Sequence, residues 1–152
     1  MKTSENQFFS NANYRLYYVS DNNLLIMESF GYIKLEAAQD AWIKATEKAA
    51  EHQILRWLSD ESKVELISPD ASKWWTDEWY PFNQKQLAFK GKRFTATVLP
   101  VRFYAEMSTK AAATKTLYYE AKVGQQNKYI EHLYFQSFTE AYNWITSHQA
   151  VS

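Results

Sequence analysis

Leu35, Ala38, Trp42, Ala45 and Ala49 recur at alternating spacings of three and four. That is the apolar stripe of one helix face, and Glu36, Asp40, Lys44, Glu47, Lys48 and Glu51 populate the other faces. Period-two patterns stand on both sides of it. Upstream, Tyr14, Leu16 and Tyr18 alternate with Arg15, Tyr17 and Val19, a strand. Ser20-Asp21-Asn22-Asn23 is a turn, because Asp and Asn tolerate left-handed backbone. Leu24 to Tyr32 is a second, more apolar strand, so the two form a hairpin. Downstream, Ile54 to Leu58 is a short apolar run, read as a buried third strand that ends before polar Ser59 to Lys63. Val64 to Ile67 comes next as a short apolar patch.

Ser68-Pro69-Asp70 starts a second helix. Ser caps it, Pro suits the first helical position, and Asp complements the helix dipole. Its expected buried stripe is Ala71, Trp75, Trp79 and Phe82, and Pro81 is expected to bend or end it. Phe94 to Val101 reads as a fourth strand. Ser108 to Gly124 reads as a third helix, and Tyr129 to Phe135 as a fifth strand. Ser137-Phe138-Thr139-Glu140 is a capping box that opens a last helix. The order predicts an α/β fold: a mixed sheet of four to five strands opened by a hairpin, partly parallel, with about four helices.

Length and composition narrow the function classes. With 152 residues the chain suits one domain with a full core. We read residues 13–148 as that domain and 1–12 as a flexible lead-in, with Phe8 and Phe9 pinned to the body. Cysteine is absent, which removes disulfides, thiolate nucleophiles and Cys-ligated zinc. No signal-like or membrane-spanning run occurs, so a soluble cytoplasmic protein is expected, with no membrane partner. The net charge is zero, but Glu28 to Glu78 carries eleven acids against six bases, and Trp79 to Lys128 nine bases against two acids. Lys85, Lys90, Lys92, Arg93 and Arg102 are read as solvated faces on different elements rather than a nucleic-acid groove.

The stretch WLSDESKVELISPDASKWWTDEWYP (Trp57 to Pro81), the strand FTATVLPV and the segment RFYAEMS (Arg102 to Ser108) resemble the STAS fold, and more closely the SpoIIAA-like proteins. The resemblance spans roughly residues 13 to 146 and implies that fold. In signalling STAS domains a serine at the start of the second helix is phosphorylated. The matching place is Ile67-Ser68-Pro69-Asp70, where the family's glycine and paired serine are missing. Ser68 is therefore expected to be a plain cap. SpoIIAA-like domains also resemble the lipid-binding CRAL-TRIO domains in architecture.

Catalytic motifs are wanting. His52, His132 and His148 show no metal-ligand spacing, the serines lack a GxSxG elbow, and no phosphate-binding loop is present. We expect no enzyme activity, no catalytic residues, no cofactor and no metal. Asp60, placed after the third strand at the carboxyl end of the sheet, is the best-positioned acid. The unusual feature is the aromatic crowd Trp74, Trp75, Trp79, Tyr80 and Phe82 on one helix. Trp74 and Tyr80 fall outside the stripe, which makes them candidates for an interface or a pocket. The leading expectation is a non-enzymatic protein-interaction module that docks a partner, or itself as a homodimer, through Trp74 and Tyr80. The alternative is a small-ligand or lipid-binding module with an aromatic-lined pocket.

Overall fold

The computed structural model describes residues 1–86, 92–101, 109–110 and 130–147. Six strands form one sheet in sequence order: β1 (Gln7–Ser10), β2 (Tyr14–Val19), β3 (Leu24–Ile33), β4 (Arg56–Ile67), β5 (Arg93–Val98) and β6 (Ile130–Phe135). β1, β2 and β3 pair antiparallel, and β3 to β6 run parallel. The hairpin is where the alternation placed it. Its turn is a 3-10 segment, Ser20–Asn22, closed by Asn23 at φ 49°. The expected mixed sheet is present with an additional edge strand. The lead-in, read as flexible, supplies it: Gln7–Ser10 pairs with β2 through the main chain, which needs no apolar pattern.

Helix α1 (Leu35–His52) crosses over between the parallel strands β3 and β4. The second helical segment runs as α2 (Pro69–Trp74), a π turn (Trp75–Trp79) and α3 (Tyr80–Gln86). Ser68 caps it as expected, accepting a hydrogen bond from the Ala71 N–H at 3.2 Å. The last helix, α4 (Phe138–Ser147), is opened by Ser137, which accepts from the Glu140 N–H. The expected helix over 108–124 lies outside the described residues, apart from 109–110.

The two faces of the sheet differ. On one, Ile26, Leu58, Phe94, Ala96 and Val98 pack directly on Ala141 and Ile145 of α4. On the other, α1 and the α2–α3 segment cover Leu16, Leu25, Met27, Trp57 and Val64. Two elements depart from expectation. The third strand does not stop before Ser59; it continues to Ile67, and it takes up one extra residue against β3 at each of two bulges. The stripe of the second helix also breaks. The Tyr80 N–H bonds back to the Trp75 carbonyl, one residue further than in an α-helix. One extra residue in that turn rotates the downstream helix face by about 100°. Tyr80 therefore turns inward, at 6% exposure, and Phe82 turns outward, at 36%.

Candidate functional site

A cavity of about 540 Å³ lies between the sheet and the helices of the second face. Its floor is built from alternate strand residues. Met27 and Ser29 come from β3, Ser59 and Glu61 from β4, Arg93, Thr95 and Thr97 from β5, and His132 and Tyr134 from β6. Its roof is aromatic: Trp42 of α1, then Trp75, Trp79 and Tyr80 of the π turn and α3. Space exists because short hydroxyl side chains stand where the opposite face of the same strands carries Leu58, Ala96 and Val98.

The roof is a continuous ring cluster. Trp75 stacks on Trp79 with centroids 4.9 Å apart, Trp79 meets Trp42 at 4.6 Å, and Trp42 stacks on Trp57 at 5.8 Å. Two indole N–H groups are satisfied within the protein. Trp42 donates to the Tyr14 hydroxyl, and Trp79 donates to Thr46 Oγ1 and to the Trp42 carbonyl. The N–H groups of Trp57 and Trp75, and the side-chain oxygen of Asn83, are buried without a partner. All three residues line the cavity.

The titratable groups sit at opposite ends. Asp60 is in register with Val98, so Glu61 stands six positions beyond Arg93 along parallel strands. At about 3.3 Å per residue that is roughly 20 Å. Burial pushes the Glu61 carboxyl up to about 7, against a hydrogen bond from the Thr109 hydroxyl that lowers it; the Asp60 charge adds to the rise. Burial lowers the Arg93 guanidinium to about 10, which leaves it a cation at neutral pH. It has no hydrogen-bond or ion-pair partner among the described residues. Between the two ends, Thr95 Oγ1 lies 2.6 Å from His132 Nδ1. His132 borders the cavity as an exposed residue, and the desolvation it does undergo lowers its pKa from 6.5 to about 4.

The residues singled out from the sequence are dispersed. Tyr80 lines the cavity, while Trp74 is in the core cluster at 9% exposure. Neither presents a ring to solvent as expected: the π turn rotates Tyr80 inward, and Trp74, upstream of that turn, packs with the core cluster of α1 and α2. Ser68 is buried and engaged as a cap. Asp60 does not come after a strand; it lies within β4 and faces away from the cavity. There it accepts from the Lys2 ammonium at 2.5 Å and from the Ser62 hydroxyl at 2.7 Å. Burial alone raises a carboxyl pKa, but these bonds bring Asp60 below its ordinary value. Lys2 also pairs with Glu28 at 2.9 Å, in register beside Asp60. Lys92 and Arg93 point to opposite faces, the former paired with Glu131 at 3.1 Å; Lys90, Arg102 and His148 lie outside the described residues. Among the described residues, no group of three acidic or histidine side chains gathers as a metal site, and no helix is long and apolar enough to cross a membrane. The sequence carried one unread signal for the cavity: Ser59, Thr95 and Thr97 put hydroxyls at core-facing strand positions.

No family model matches the chain, and no curated protein matches it. Among solved structures it is similar to an uncharacterised protein of the DUF3478 family with a SpoIIAA-like fold from Shewanella loihica PV-4. The identity is 16%, the TM-score 0.52, and the match covers 91% of this chain and 98% of that one. The fold is SpoIIAA-like.

Proposed function

We propose that the chain is a small-molecule-binding module that holds its ligand between the tryptophan roof and the hydroxyl floor, without turning it over. The observation that carries this reading is the cavity itself. A volume of about 540 Å³ falls within the roughly 300–1,000 Å³ of small-molecule sites. Its wall combines apolar rings with a few polar groups. An unfilled cavity of this size costs packing energy that the other face of the sheet does not forgo. The protein-interaction reading draws less support, since Trp74 and Tyr80, on which it depended, are buried.

Titration with 2-naphthamide, a neutral apolar probe, monitored by tryptophan fluorescence, tests the proposal. Wild type should bind saturably. Ser59→Leu, which fills the floor beside Trp57, should keep its circular dichroism and lose the binding. Equal binding by Ser59→Leu and wild type would place the site elsewhere and end the proposal.

A further inference from the structure

We infer that the ligand is a largely apolar organic anion carrying one carboxylate, bound with that carboxylate at the Arg93 end of the cavity. The inference rests on the reading of the cavity as a binding site. Hydrogen-bonding capacity in the wall is unbalanced toward donors. The Trp57 and Trp75 indole N–H groups and the Arg93 guanidinium have no acceptor among the described residues, whereas the one orphaned acceptor among them is the Asn83 side-chain oxygen. Donors in excess call for a ligand rich in acceptors.

Charge points the same way. The other lining groups leave Arg93 without a counter-ion among the described residues. Glu61 is roughly 20 Å away along the strands. Glu131 also lines the cavity, but it is in register with Phe94 rather than with Arg93, and its carboxylate is engaged by Lys92 at 3.1 Å. His132 is neutral, and Tyr14 accepts from Trp42. Arg93 is the one cation among the described lining residues; a single negative charge matches it, and a guanidinium fork matches the two oxygens of a carboxylate. Trp57 is in register with Thr95, which shares the Arg93 face two residues on. The indole, the threonine hydroxyl and the guanidinium are therefore neighbours at that end of the floor. The remaining roof, Trp75, Trp79 and Tyr80, offers ring faces to an apolar body.

The test compares 2-naphthoate with its neutral isostere 2-naphthamide by equilibrium titration at pH 7. Wild type should bind the carboxylate about ten-fold or more tightly, the scale of a charge-assisted hydrogen bond. Arg93→Met should remove that preference, and an unchanged circular dichroism spectrum reports that the variant is folded. Arg93→Lys should retain part of the preference. Equal affinities in wild type, or a preference that survives in Arg93→Met, would overturn the anion inference and leave the cavity reading standing. Failure of both probes to bind would overturn the two together.

Discussion

Single residues in this fold carry separable duties. Ser68 ends β4's run and caps the helix that roofs the cavity, so its hydroxyl acts on stability alone. Ser68→Ala should lower unfolding stability by about 1 kcal/mol, measured by denaturant titration, and Ser68→Asp should not, because Asp also caps. This duty was legible, since Ser-Pro-Asp is a local signal. Glu61 was not, because its environment is assembled from β4 and the distant Thr109. Its carboxyl is raised from an ordinary 4.5 to about 7. A raised acid binds its proton more tightly when folded, so its contribution is complete below about pH 4.5 and is lost as pH rises through 7. Wild type should therefore lose stability between pH 5 and pH 8, and Glu61→Gln should flatten that slope. A slope unchanged in the variant would assign the loss to other groups.

At the scale of elements, local periodicity was sufficient for the hairpin, for α1 and for the parallel continuation. It failed where packing decides. The polar Ser59 to Lys63 read as a break because its alternation serves two polar environments: Ser59 and Glu61 face the cavity, and Asp60 faces Lys2. The π turn has no sequence period of its own, so a regular helix sends Phe82 inward and Tyr80 outward, the reverse of what is found. The lead-in departs from the expectation of flexibility for a similar reason, since long-range contacts hold it: β1 pairs with β2, and Lys2 reaches two further strands. The Lys2 ammonium bridges Glu28 and Asp60 on neighbouring strands and lies 4.2 Å over the Phe138 ring of α4. Lys2→Met leaves two buried carboxylates side by side. It should cost about 2 kcal/mol or more at pH 7. The deficit should shrink as pH falls below about 3.8, where Asp60, held low in the wild type by Lys2, takes up its proton and the contribution of the pair is lost. A deficit independent of pH would mean that Lys2 contributes through its stem rather than its charge.

For the whole molecule, one sheet supports two unlike layers. The α4 side is filled by apolar side chains, and the α1 side keeps a space roofed by rings and floored by hydroxyls. The sequence conveyed the SpoIIAA-like order but not this asymmetry, because a cavity is a property of side chains meeting from distant elements. The six tryptophans report on it separately. Trp42, Trp57, Trp75 and Trp79 line the cavity, whereas Trp74 packs at the outer side of α2 with Leu35, and Trp144 packs on Phe94 and Phe135 across the sheet. The most direct measurement is a nitrogen–proton correlation spectrum of the indole N–H signals during titration with 2-naphthamide. The signals of Trp42, Trp57, Trp75 and Trp79 should shift saturably with one dissociation constant, while those of Trp74 and Trp144 stay in place. Movement confined to Trp74 or Trp144, or no movement at saturating probe, would contradict a ligand site between the sheet and the tryptophan roof.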